Sequence, residues 1–184
     1  KLNLFYIEHK KNVGGRYSVL SEVGIVPAFL MGLDIKRFRS NILNFTKGKY
    51  SRFLKDSVIL LSKLLNSKKI KNIVFINYAP EFDSFLYWCQ QLIAESLGKK
   101  NKGFLPVISS APKDHHSLLQ LYLDGPKDKL FHVFSTNIKT NKKNSKNKHL
   151  PYFDSLYKKD LMTIKIAQKD ALIKTLKYKN IPFR

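Results

Sequence analysis

At 184 residues and 21.4 kDa, with 43% hydrophobic residues, the chain can bury a real core and is not disordered by composition. No run approaches the roughly 18 apolar residues of a membrane-spanning helix, and the basic start KLNLFYIEHK is not followed by a signal-peptide core. The single cysteine, Cys89, excludes an intramolecular disulfide framework and a multi-cysteine zinc site, while a net charge of +21 raises the question of a nucleic-acid partner.

Taken in chain order, LNLFYI (2–7) is a short β-prone apolar run and is expected to be a buried strand. NVGGRYS follows as a glycine turn, and Ser18 is expected to cap an apolar helix running to about Leu33. Asp34 can cap a second helix over 34–48 that puts Ile35, Phe38, Ile42 and Phe45 on one face. A third helix, 51–68, is expected to turn Phe53, Val58, Leu61, Leu64 and Leu65 toward a core. KNIVFINYA (71–79) is a continuous apolar run, the pattern of a parallel strand covered on both faces. A long helix over 81–98 is stopped by Gly98.

Further strands are expected at 103–110 and 129–138, with a short helix over 115–125, ended by Gly125, between them. A Lys/Asn run follows, then an amphipathic helix over 154–180, and NIPFR reads as the start of another strand. Beyond the opening strand and its helical connector, strands alternate with helices, so the fold class is α/β: a doubly wound, mostly parallel sheet with ligands near strand C-terminal ends.

The charge is weak guidance to a partner. Of the 34 basic residues only five are Arg (16, 37, 39, 52 and 184), leaving 29 Lys, whereas groups that grip phosphates or base edges bidentately lean on Arg. The densest run, KTNKKNSKNKH (139–149), has no aromatic interleaving and reads as a solvated loop rather than a phosphate-binding arm. No zinc-finger spacing or paired-aromatic single-strand motif is present.

VGGRYSVLSEVG (13–24) is the first segment that can carry chemistry. Two glycines permit close backbone approach, Arg16 brings a permanent positive fork, and a helix start follows, which together suit an anionic or oxyanionic ligand. The alternative is a plain glycine turn beside a surface arginine. The spacing is neither a dinucleotide fingerprint nor a Walker loop, so no nucleotide is implied.

NVGGRYSVLSEVG resembles the first signature of the glucose-6-phosphate isomerase family, with G-G-R-Y-S intact and Lys11 and Glu22 departing from the usual residues. FLYWCQQLIAESLGK is similar to the family's helix ending in A-E-S-L-G-K, and SSAPKDHHSLLQLYLDGPKDK to its segment with Q-H-S, Q-L and G-P-x-D-K. The three motifs stand in the family's order over residues 10–130.

The resemblance implies two sugar-isomerase (SIS) domains, each a three-layer α/β sandwich and incomplete in this chain: 1–33 as the end of the first with GGRYS, 34–66 as a helical connector, 67–184 as most of the second. It implies interconversion of glucose 6-phosphate and fructose 6-phosphate by ring opening and proton transfer between C2 and C1 through a cis-enediolate, with no metal or cofactor. A cytoplasmic homodimer with sites near the subunit interface is implied, with a sugar phosphate as partner and neither nucleic acid nor membrane.

Carried over by motif, Arg16 stabilises the enediolate and Gly15 is the backbone neighbour of the sugar. The family's long forms place the base, a Glu, in a G-E-P turn that ISSAPKD lacks; its short bacterial forms place an acid before a Gly, which here is Asp124 in LDGP. His149 is expected to be the ring-opening histidine, and His116, at the Q-H position, to lie near the substrate, with capping or packing as its alternative. His132 is expected to be a satisfied core residue, and Glu95 and Lys99 to be structural or interfacial. The family's Ser/Thr-rich phosphate loop and its second signature, with the ring-opening Lys, are absent, so the chain is expected to be a central piece that does not turn over substrate alone. The competing readings are a noncatalytic sugar-phosphate-binding regulator on the same domain type and a basic nucleic-acid-binding module; the first would keep the phosphate loop and has no need of GGR.

Overall fold

The computed structural model describes residues 5–136 and 160–184, which fall into two compact units, 1–63 and 64–184. In the first unit Phe5, Tyr6 and Ile7 are exposed and carry no regular structure, so the expected opening strand is not formed over the described part of 2–7. A strand needs a neighbour for its N–H and C=O groups, and none of the described residues pairs with this one. GGRYS is not the approach to a helix cap either. Gly15–Tyr17 is a single 3-10 turn, and the Ser18 hydroxyl donates back to the Gly15 carbonyl at 2.8 Å. Ser18 is therefore consumed in closing that turn, and Ser21 becomes the N-cap of α1 (Glu22–Leu30). Helix α1 stops short of Leu33 because Gly32 takes φ +81°, letting the Leu33 N–H reach back to the Ala28 carbonyl at 3.0 Å.

Asp34 caps as expected, accepting the Arg37 N–H at 3.0 Å, but the helix it starts is split into α2 (Ile35–Arg39) and α3 (Ile42–Thr46). Ser40 causes the break locally: its hydroxyl and its N–H both turn back to the Arg37 carbonyl, at 2.7 and 3.2 Å. Helix α4 (Ser51–Ser67) forms over the expected span. Its stripe does not meet a core, however: Phe53 and Val58 are each 58% exposed, and no residue of the helix is buried. Periodicity identified the helix correctly; whether anything covers its apolar side is decided outside the helix.

The second unit holds a parallel sheet of β1 (Asn72–Asn77), β2 (Leu105–Ser110) and β3 (Lys129–Phe134) in the order β2-β1-β3. The chain leaves β1 to one side and then crosses to the other, so the winding reverses at β1. As the apolar run predicts, β1 is buried on both faces. Val74 and Ile76, with Phe131, pack on Tyr122, Leu172, Leu176 and Ile181. On the opposite face Phe75 meets His132 and Phe134 edge-on, and Phe82 and Phe85 extend that aromatic layer. Pro106 fits β2 because Leu105 donates toward β1, to the Lys71 carbonyl, which leaves the proline nitrogen facing away from the ladder.

Helix α5 (Asp83–Leu97) follows a 3-10 turn at Pro80–Phe82 and ends at Gly98, whose N–H donates to the Ala94 carbonyl at 2.9 Å. The expected helix over 115–125 is two short ones, α6 (Lys113–Ser117) and α7 (Leu119–Asp124), parted where Leu118 leaves helical geometry at φ −121°. Gly125 ends α7 as expected. Helix α8 (Leu161–Tyr178) begins later than the expected 154, because extended Asp160 caps it by accepting the Thr163 N–H at 2.6 Å, and Leu172 and Leu176 are its buried stripe. Phe183 makes one isolated parallel bridge to Phe131, so NIPFR, expected to start a strand, lies beside β3 without forming a fourth strand among the described residues. These are an α/β layering and a parallel sheet of the expected class, without completing a full sandwich.

Candidate active site

The GGR turn is held by a pair of residues that the motif does not include. His9 Nδ1 lies 2.5 Å from Glu22 Oε1, its Nε2 lies 2.8 Å from the Val13 carbonyl, and the Lys10 N–H donates to the same glutamate oxygen at 3.3 Å. The segment before GGR is thus tied to the first turn of α1. The hydrogen bond to Glu22 raises the His9 pKa, and the same bond, after the glutamate's own backbone N–H, lowers that of Glu22. Arg16 follows, half-buried, with its guanidinium carbon 5.9 Å from the Tyr17 ring centroid. Neither Gly14 nor Gly15 has a positive φ, and a Cβ added at either would meet nothing within 4 Å. Conformation and packing among the described residues therefore do not require glycine there.

In the second unit the C-terminal edge of the sheet gathers polar groups. Asn77 donates to Asp83 at 2.8 Å and accepts the Ala79 N–H at 3.0 Å, which fixes the start of α5. Asp114, in the first turn of α6, accepts the Ser109 hydroxyl at 3.1 Å and the Ser110 N–H at 2.8 Å. His115 Nε2 meets the hydroxyl of fully buried Tyr78 at 2.8 Å. His116, next along α6, is exposed. The doubly wound rule points to this edge as the ligand side, and His116 stands on it.

Asp124 is elsewhere. It ends α7, which runs back toward the N-terminal edge of the sheet, so His116 and Asp124 lie at opposite ends of the α6–α7 segment. The Asp124 carboxylate is 63% exposed and 2.6 Å from Lys179 Nζ, and that hydrogen bond lowers its pKa below the ordinary carboxylate value. Glu95, in the last turn of α5, accepts from Gln91 at 2.9 Å and is also exposed. Arg16 and Gly15 belong to the first unit, and His149 lies outside the described residues. His132, expected to be a satisfied core residue, is half-buried and not satisfied. Its Nε2 is buried with no hydrogen-bond partner among the described residues, and burial pushes its pKa down, so the ring stays neutral. No group of three or more metal-ligating side chains gathers among the described residues.

No family model matches the chain. A probable glucose-6-phosphate isomerase of Methanococcus maripaludis is 34% identical across 99% of this chain and 42% of its own length. The glucose-6-phosphate isomerase of Campylobacter jejuni is 37% identical over 92% of this chain and 43% of its own. The chain is a homologue of the glucose-6-phosphate isomerases. It spans less than half of the length of these two isomerases. The glucose-6-phosphate isomerase of Methanocaldococcus jannaschii adds 38% identity over 65% of the chain. The fold agrees with the crystal structure of a hypothetical protein from Thermus thermophilus, with a TM-score of 0.72 and 27% identity over 94% of this chain and 43% of that one. Against the isomerase signature, His9 and Tyr78 carry no motif signal; Glu22 was visible only as a departure, and the structure shows that it clamps the loop that the signature defines.

Proposed function

We propose that this chain is the central part of an aldose–ketose isomerase that interconverts glucose 6-phosphate and fructose 6-phosphate. The observation that carries the reading is 34% identity to an isomerase by name across 99% of the chain, with the G-G-R-Y-S turn inside the matched span. Glycines at 14 and 15 that nothing in their own surroundings demands are best explained by the close approach of a bound sugar. The noncatalytic sugar-phosphate-binding alternative is not favoured, since the matched relatives carry isomerase names.

Proton abstraction from C2 leaves an enediolate whose negative charge needs a fixed positive partner, and the same proton is returned to C1. Arg16 is assigned that stabilising role, because a guanidinium is not deprotonated by the charge it faces. Gly15 lets the sugar approach the backbone, and His116 contacts the substrate. Asp124 is assigned as the base, although it stands at the other end of the α6–α7 segment from His116, and His149 as the ring-opening group. An ion-paired aspartate is a weak base, so Asp124 serves only when Lys179 releases it. The whole enzyme is proposed to work without a metal or cofactor, as a cytoplasmic homodimer, with residues 1–33 closing one SIS domain, 34–66 connecting, and 67–184 forming most of the next.

The test is conversion of fructose 6-phosphate by the complete protein carrying this sequence. Arg16→Ala should lower kcat by about 10²–10³, the loss of one oxyanion stabiliser. Asp124→Asn and His149→Ala should each abolish most turnover. Glu95→Gln is the comparison: if it abolishes turnover while Asp124→Asn does not, the base is Glu95. A complete protein without isomerase activity overturns the reading.

A further inference from the structure

We infer that Tyr78 and His115 form a buried hydroxyl–imidazole pair whose task is to position His116 at the C-terminal edge of the sheet. Helix α6 has little else to hold it. It is a single turn of five residues, with no side-chain N-cap. Two side-chain anchors tie it to the sheet. The Asp114 carboxylate takes Ser109 and Ser110 at the end of β2, and His115 takes Tyr78 just beyond the end of β1. The two anchors are adjacent in sequence and reach two neighbouring strands, so together they set both the place and the rotation of the turn. His116 is the next residue, exposed on the side that the anchors leave free.

Tyr78 is a firm support. It is fully buried among Val74, Ile76, Phe131, Leu172 and Leu176, and its own N–H donates to the Phe134 carbonyl at 2.9 Å. The two rings meet edge to face, 5.6 Å between centroids. Burial raises the Tyr78 pKa and lowers that of His115, so a neutral phenol and a neutral imidazole share the hydrogen bond, and the His115 tautomer sets which of them donates. The pair is therefore a neutral hydrogen bond held in a buried setting. It does not touch the solvent-facing side of α6, so its effect on chemistry runs through the backbone to His116.

This inference rests on the substrate role given to His116 above, and the experiment separates the two. In the complete protein, Tyr78→Phe removes the hydroxyl and keeps the ring. It should lower kcat about tenfold, the rate equivalent of one neutral hydrogen bond, with KM within about twofold. His115→Phe, which keeps a ring but no nitrogen, should do the same. His115→Gln presents a side-chain amide that can accept from or donate to Tyr78 and should restore turnover to within about twofold of the parent. The His116 ring resonance, observed after [13C]histidine labelling and assigned with His116→Gln, should shift in Tyr78→Phe and return in His115→Gln. Unchanged turnover together with an unmoved His116 resonance in Tyr78→Phe and His115→Phe overturns the inference. Equal loss in His115→Gln and His115→Phe overturns it too, because the hydrogen bond would then be irrelevant. Absence of isomerase activity in the unsubstituted protein refutes the function instead, and the His116 resonance still decides the positioning claim.

Discussion

His9 and Glu22 show how a single ion-paired contact can hold a glycine turn. With its folded pKa above 6.5, His9 contributes to the clamp fully below pH 6.5, and the contribution is lost as pH rises through the raised value. Glu22 has the opposite sign: its folded pKa is below 4.5, so its contribution is present above 4.5 and is lost as pH falls through the lowered value. The turn should be best held between about pH 4.5 and 6.5, by these two groups. Amide hydrogen exchange over residues 10–17, corrected for intrinsic rates, should lose protection as pH rises through the raised His9 value above 6.5, and His9→Gln should remove that dependence. Both side chains are partly exposed, so the effect belongs to the loop and not to global unfolding. A second residue-scale expectation concerns the proposed base. Lys179→Met should raise the Asp124 pKa back toward 3.8, as read by carboxyl carbon shifts; an unmoved value would mean that the Lys179 contact does not persist in solution.

At the scale of elements, helix ends were more legible than helix continuity. Asp34 and Gly98 act where their residue types predict, because a cap depends on one side chain and its adjacent backbone. The break at Ser40 was hidden, since serine is tolerated within helices and only its choice of the Arg37 carbonyl interrupts this one. The same holds at Leu118, where no glycine or proline marks the division of α6 from α7. The last glycine of the VGGRYSVLSEVG segment, Gly24, has a physical reason visible only in three dimensions. A Cβ at Gly24 would lie 2.1 Å from the Val19 carbonyl oxygen, which is backbone and cannot yield. Gly24→Ala should therefore destabilise the turn between GGRYS and α1 by about 1–3 kcal/mol, seen as faster exchange of the α1 amides. Gly14→Ala meets nothing and should leave that exchange unchanged.

At the scale of the molecule, burial separates what periodicity treats alike. Helices α4 and α8 both carry apolar stripes, yet Leu176 is fully buried and Val58 is 58% exposed. Leu176→Ala should cost about 2–5 kcal/mol in chemical denaturation, and Val58→Ala less than about 0.5 kcal/mol. A large loss for Val58→Ala in the complete protein would show that its stripe is covered there. The net charge of +21 has no matching concentration of arginine forks and stays a weak guide to partners.

The parallel strand at 71–79, the α/β alternation and the relationship to the isomerases were all legible in the amino-acid order, because each is written in local composition or in contiguous motifs. It took the folded chain to show that Glu22 clamps GGR, that Asp124 is tied to Lys179, and that His115 rests on Tyr78. Those contacts join residues 13, 55 and 37 positions apart, and such separations are set by strand order and helix packing, which no local pattern encodes.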